Sequence, residues 1–191
     1  MEAKRIIALY SDSPMVGKTT VAQMLATKGD YQILSFASPL KEMLEALLRN
    51  CGIQNTEEYL YSPKHKNDPI PECGGKTARQ LMQTLGTEWG RKTVYHNLWL
   101  KLMGTRIQRA FDAGYSVIVD DMRFRNEYDS LAFLGAWMIR LYRPGVTYQT
   151  NHTSEGQLKS MSFDFHLSNG GTLDELAAKV DALHDVILDS E

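Results

Sequence analysis

Cysteine is scarce in this chain: Cys51 and Cys73 are its two cysteines among 191 residues. They lie 22 positions apart in no C-x-x-C arrangement, which excludes a disulfide framework and a cysteine-built zinc site. Two free thiols in a reducing compartment are the expectation. Long apolar runs are missing as well. The first one, Ile6 to Tyr10 after Lys4-Arg5, is five residues, too short for a signal-peptide core or a membrane span. The expected location is therefore the cytoplasm, with no membrane partner. Neither sign of charge dominates: 21 basic against 23 acidic residues leave a net charge of −2. With no basic stripe, a dedicated nucleic-acid-binding face is not expected, although a small phosphorylated substrate needs only a few well-placed cations. Internal repeats and low-complexity tracts are absent. The five histidines show neither metal-ligand spacing nor a Ser/His/Asp arrangement. The length suits a single domain over residues 1–191, and the totals leave its oligomeric state open, a homodimer included.

What the chain does have is one strongly patterned stretch near its start. The apolar run Ile6-Ile7-Ala8-Leu9-Tyr10 leads into Ser11-Asp12-Ser13-Pro14-Met15-Val16-Gly17-Lys18-Thr19-Thr20, and a helical pattern follows from Val21. Strand, loop ending in Gly-Lys-Thr, then helix is the context a phosphate-binding loop requires. Backbone N–H groups over Ser13, Pro14 (which contributes no N–H), Met15, Val16, Gly17, Lys18, Thr19 and Thr20 would converge on nucleotide phosphates, helped by the positive end of the helix dipole. Lys18 would reach the β- and γ-phosphates, and the Thr19 hydroxyl would ligate Mg²⁺. One position departs from the pattern, since Asp12 stands where its first glycine belongs. Asp tolerates a left-handed backbone better than most residues, but its carboxylate would repel phosphates unless it points away or is paired.

Along the rest of the chain, strands are expected near 32–36, 115–119, 137–142 and 163–167. Helices are expected over 18–28, from Ser38-Pro39 to about 50, from a capping box Thr77/Gln80 to 85, over 92–113, 127–134 and 173–187. Gly86 to Arg91 should end the helix that begins at Thr77, and Leu98, Leu102, Ile107, Ala110 and Phe111 are core candidates of the next one. Residues 51–77 hold three of the six prolines (Pro63, Pro69, Pro71) and read as a long exposed loop with one helical turn around 56–59. Ser154/Gln157 and Thr172/Glu175 have capping-box spacing too. Alternating strands and helices predict an α/β phosphate-loop domain, with a five-stranded parallel sheet and helices on both faces. Ligands bind such sheets at the carboxyl ends of the strands. Excursions near 51–91 and 143–160 would then carry substrate-binding or lid segments.

The strand ends are rich in charge. Asp120 and Asp121 follow Val117-Ile118-Val119, where a carboxylate can orient Mg²⁺ or an acceptor hydroxyl; adjacent acids leave a strand on opposite faces, so residue type alone does not choose between them. Arg123, Arg125, Arg140 and Arg143 are candidates for stabilising the charge that spreads over a transferred phosphoryl group. On an acceptor side, Lys41, Arg79, Gln83 and Arg91 could meet a phosphate and a base, with Phe36, Trp89 and Trp99 as packing; Trp99 reads as core.

Taken in order, several stretches resemble the phage-type deoxynucleoside monophosphate kinases, a branch of the phosphate-loop nucleoside monophosphate kinases. They are Ser35 to Lys41, Arg79 to Arg91, Asp121-Met122-Arg123-Phe124-Arg125-Asn126-Glu127, Arg143-Pro144, His152 to Glu155 and Asn169 to Leu173. The resemblance implies a P-loop kinase fold and transfer of the γ-phosphoryl of ATP, with Mg²⁺, to a (deoxy)nucleoside monophosphate. It favours Asp121 over Asp120, places Arg79, Gln83 and Thr87 on the monophosphate side, and puts Arg143 near a lid. Lys18, Asp121, Arg123 and Arg143 become the catalytic set, Thr19 and Asp121 the metal set. Phe36, Lys41, Arg79, Gln83, Thr87, Trp89 and Arg91 become the acceptor set. A phage-encoded protein would act in the host cytoplasm. The alternatives are another small-molecule kinase of dephospho-coenzyme A kinase type, and a nucleotide-binding module without catalysis in which Asp12 marks a degenerate loop.

Overall fold

All five residues of the first strand, β1 (Ile6–Tyr10), are buried, so it lies in the middle of a sheet covered on both faces. A computed structural model describes residues 4–62, 64–145 and 157–190. In chain order β1 is followed by α1 (Lys18–Ala26), β2 (Tyr31–Leu34), α2 (Ser38–Asn50), α3 (Thr56–Tyr61) and the two-residue strands β3 (Pro69–Ile70) and β4 (Lys76–Thr77). Then come α4 (Ala78–Gln83), α5 (Leu98–Asp112), β5 (Ser116–Val119), α6 (Arg125–Phe133), β6 (Trp137–Tyr142), β7 (Phe165–Ser168) and α7 (Leu173–Asp189). The chain divides into two compact units, one of Met1–Ser35 with Met103–Glu191 and one of Phe36–Leu102.

The first unit contains the expected five-stranded parallel sheet, in the order β2-β5-β1-β6-β7. Its register sets Ile7 beside Ile118 and Trp137, Leu9 beside Ile139, and Leu141 beside Leu167. Because side chains alternate along a strand, these residues share one face. They pack on Val21, Ala22 and Leu25 of α1 and on Leu176, Val180, Leu183 and Ile187 of α7. Burying each such side chain is worth about 1.5–3 kcal/mol. On the opposite face Tyr10 stacks on Phe163 at 5.3 Å between ring centres, and Tyr128 of α6 meets the same ring edge-on at 5.7 Å. Helices thus cover both faces. α7 opens with the capping box read from the sequence: Glu175 N–H donates to Thr172 Oγ1 and Thr172 N–H to Glu175 Oε2.

The second unit differs more from expectation. Residues 64–77 are not simply an exposed loop, because Ile70 in the β3–β4 hairpin is fully buried and packs with Leu60 of α3, Leu44 and Leu48 of α2 and Ala78 of α4. The Thr77/Gln80 capping box forms as read. The helix it opens does not stop at Gly86, however; it widens into a π-helix over Thr84–Val94. Trp99 packs against this widened helix. Its ring fills the space a Cβ on Gly90 would need, 2.4 Å away, and its Nε1–H donates to the Gly86 carbonyl at 2.8 Å. Trp99 is core, as read, whereas Leu102 is exposed and α5 begins only at Leu98. In α2, Ala37 rather than Ser38 is the N-cap, with Pro39 in the first turn. The expected Ser154 cap lies outside the described residues. No helix among the described residues is long and apolar enough to cross a membrane.

One buried group gives the first unit a pH dependence. His184 of α7 is 6% exposed and its Nε2 lies 3.1 Å from the Tyr31 hydroxyl. Burial lowers its pKa below the ordinary value, so the native state resists its protonation more than the unfolded chain does. The stability conferred by neutral His184 is complete above about pH 6.5 and is lost as pH falls through the lowered native value. Thermal denaturation between pH 7 and 5 should show this loss, and His184→Gln should flatten it; an equal slope in the two proteins would contradict the assignment.

Candidate active site

β1 ends at Tyr10, between the ends of β5 and β6, and the phosphate-loop sequence starts there. Gly17 is the N-cap of α1 with φ 97°, a left-handed conformation that glycine adopts without strain. A Cβ there would also meet Asn169 Nδ2 at 2.5 Å. That amide donates to the Val16 carbonyl at 2.8 Å, so the segment after β7 braces the loop from 153 residues away. Asn169 follows directly on the carboxyl end of β7, where ligands of such sheets bind. Val16 is buried, Ser13 and Pro14 are half-buried, and Met15 is 86% exposed with φ 61°. Left-handed backbone in a non-glycine costs roughly 1–3 kcal/mol and clusters at ligand sites. Lys18, the first residue of α1, donates from Nζ to Ser11 Oγ, which donates to the Ser13 carbonyl at 2.7 Å. Thr19 is exposed and Thr20 half-buried in the first turn of the helix.

Asp12 has negative φ, since Met15 is the one positive-φ non-glycine among the described residues. Its carboxylate is engaged. Oδ1 accepts the Tyr10 hydroxyl at 2.9 Å, and Oδ2 accepts Arg140 Nε at 3.0 Å and Nη2. Burial, and then this bond to Asp12, push the Tyr10 pKa up. Arg140, one of four arginines considered for the transferred phosphoryl, is thus directed to Asp12. Arg125 instead pairs with Asp129 at 2.8 Å on α6.

At the end of β5, Asp121 Oδ2 accepts the Ser35 hydroxyl at 2.6 Å. The next turn is shaped by Glu127, which is 2% exposed; its Oε2 accepts the backbone N–H of Arg123 at 2.8 Å and of Phe124 at 3.1 Å. A buried carboxylate capping two amides fixes the backbone from which Arg123 projects, and Arg123 and Arg143 are both exposed. The structural role of Glu127 lies in these partners rather than in its residue type. Among the described residues no three His, Cys, Asp or Glu side chains cluster to form a metal cage. Thr19 and Asp121 offer oxygen donors only, the hard-ligand chemistry by which Mg²⁺ is held together with water and substrate phosphate.

The acceptor candidates sit in the second unit. Phe36 is buried at 6% exposure. Lys41 Nζ lies over the Tyr61 ring at 4.4 Å from its centre. Arg79 and Gln83 are exposed one turn apart on α4, and the Arg79 N–H is anchored on the Lys66 carbonyl at 3.0 Å. Thr87, Trp89 and Arg91 all lie on the π-helix; Trp89 is exposed and Thr87 and Arg91 are half-buried. π-helical turns occur frequently at functional sites. The segment that would bear His152 to Glu155 lies outside the described residues.

The sequence pattern of the deoxynucleotide monophosphate kinase family matches residues 72–180. A protein of Acanthamoeba polyphaga mimivirus, provisionally named a deoxynucleotide monophosphate kinase, is 28% identical over 179 residues, covering 86% of this chain and 88% of its own. The deoxynucleotide monophosphate kinase of Enterobacteria phage T4 is 33% identical over 105 residues, 54% of this chain and 44% of the phage protein. The match therefore spans less than half of the phage protein's length. In fold, the chain is similar to TT1252 from Thermus thermophilus, with a TM-score of 0.52 at 16% identity over 96% of this chain and 98% of that one.

The cap on the Arg123 turn is open to test. Glu127→Ala leaves two backbone donors without their acceptor and should lower the unfolding free energy by roughly 1–3 kcal/mol, read from the urea midpoint. An unchanged midpoint would show that the cap is idle.

Proposed function

The chain belongs to the deoxynucleotide monophosphate kinase family and is a nucleotide kinase; on that premise we propose that it transfers the γ-phosphoryl of ATP to a deoxynucleoside monophosphate, yielding ADP and the diphosphate. The observation that carries this is the strand–loop–helix at the carboxyl end of β1, with Gly17 capping α1 and Lys18 beside the loop. Amides of residues 13 and 15–20 and the α1 dipole bind the phosphates of ATP, and Lys18 follows the β- and γ-phosphates. Thr19 and Asp121 would hold Mg²⁺, with Ser35 orienting the Asp121 carboxylate, and the ion would supply positive charge against the nucleotide phosphates. Arg123 and Arg143 stabilise the charge that spreads over the phosphoryl group in flight.

The acceptor is read by the second unit. Lys41, Arg79 and Arg91 supply cations for the monophosphate, Gln83 and Thr87 supply hydrogen bonds, and Phe36 and Trp89 pack against the base. No covalent intermediate is required, because phosphoryl transfer is catalysed mainly by positioning and electrostatics. The place of action is a cytoplasm, the host's where a phage encodes the chain.

Two measurements test this. Lys18→Ala should reduce ADP release with ATP, Mg²⁺ and the natural monophosphates by about a hundredfold or more while the fold persists; wild-type turnover in that variant would refute the donor site. Arg79→Ala should weaken monophosphate binding by about tenfold and ATP binding far less, measured by separate calorimetric titrations. Equal losses for the two ligands would refute the acceptor assignment.

A further inference from the structure

Glycine at the first position of a phosphate loop avoids two problems, a Cβ on left-handed backbone and volume or charge beside the phosphates. The first problem does not arise here, because Asp12 has negative φ. The second does: the loop carries a carboxylate next to where a polyanion is to bind. The contacts of Asp12 form a closed ring. The Tyr10 hydroxyl donates to Oδ1, Arg140 donates twice to Oδ2, and the Arg140 guanidinium lies over the Phe163 ring at 5.8 Å. Phe163 in turn stacks on Tyr10 with planes 10° apart. Arg140 also directs Nη1 to the Lys159 carbonyl at 3.4 Å. Side chains of the ion pair are only 23% and 24% exposed, so water screens the charges weakly and either one alone would be strongly felt.

We propose that Arg140 is a positioning residue for ATP that acts through Asp12: it neutralises the carboxylate and ties the first turn of the phosphate loop to β6. The inference rests on the kinase reading of the loop. Its origin in the fold is direct. The register of β6 against β1 sets Arg140 beside Tyr10, two residues before Asp12, on the sheet face opposite the α1–α7 core. The pair thus does the work that glycine does by having no side chain. It also removes a net negative charge that would oppose the triphosphate.

ATP titrations of wild type, Arg140→Met, Asp12→Gly and the double variant decide the matter, with unfolding midpoints for each. Arg140→Met keeps the length of the side chain and leaves the carboxylate unpaired. It should weaken ATP binding, and raise the KM for ATP, by about tenfold or more, with kcat at saturating ATP nearly unchanged. Arg140→Lys, which restores the charge without the fork, should recover part of the loss. In the Asp12→Gly background the Arg140 substitution should change ATP affinity by less than about twofold, since there is no charge left to neutralise. That comparison holds even where Arg140→Met alone does not fold. A double variant that binds ATP about tenfold more weakly than Asp12→Gly would overturn the proposal, because Arg140 would then meet ATP itself. A loss confined to kcat would overturn it in favour of a role at the transferred phosphoryl. Wild-type protein that binds ATP alongside an equally competent Arg140→Met would overturn it while leaving the kinase reading intact. Wild-type protein that binds no ATP would overturn both.

Discussion

The first unit of this protein depends on one constraint, the burial of β1 on both faces. A strand with apolar side chains at every position is stable only with neighbours on either edge and helices above and below. β5 and β6 supply the edges, and α1 and α7 cover one face. The functional geometry follows from that packing. Parallel pairing brings the carboxyl ends of β5, β1 and β6 to the same end of the sheet. The loop after β1, Asp121 after β5 and Arg140 within β6 therefore gather there without any sequence proximity.

The second unit solves a different problem. Its core is small, built from Leu44, Leu48, Leu60, Ile70 and Ala78. Much of its shape near the acceptor candidates comes from one close fit, the Trp99 indole against Gly90 with its N–H on the Gly86 carbonyl. In a π-helix each carbonyl bonds an amide five residues on rather than four, and the second lone pair of the Gly86 carbonyl accepts the Trp99 indole N–H. Thr87, Trp89 and Arg91 are thus presented by a widened helix rather than by a turn, and helical backbone holds side chains more rigidly than a loop does.

Asp12 shows how a motif departure is to be judged. By residue type alone it weighs against phosphate binding. In the structure its backbone is unstrained and its charge is paired, so neither objection to a substituted glycine applies. The left-handed backbone of the loop falls instead on Met15, three residues on, whose side chain is almost wholly exposed.

The order of the five sheet strands and the helices between them, the strand–loop–helix pattern of the phosphate loop and the two capping boxes Thr77/Gln80 and Thr172/Glu175 were determined by the sequence itself. Each is a local signal: hydrophobic period, turn chemistry and side-chain-to-backbone bonds within a few residues are read by neighbours along the chain. Tertiary structure alone decided what lies across the fold. Nothing local links Asp12 to Arg140, 128 residues away, or Asn169 to Val16, or makes Ile70 a core residue within a proline-bearing stretch. Nor does residue type reveal that Gly86 and Gly90 are a seat for Trp99 rather than a helix stop. Those pairings depend on strand register and on which faces the packed helices present, quantities that exist only once the chain has closed on itself.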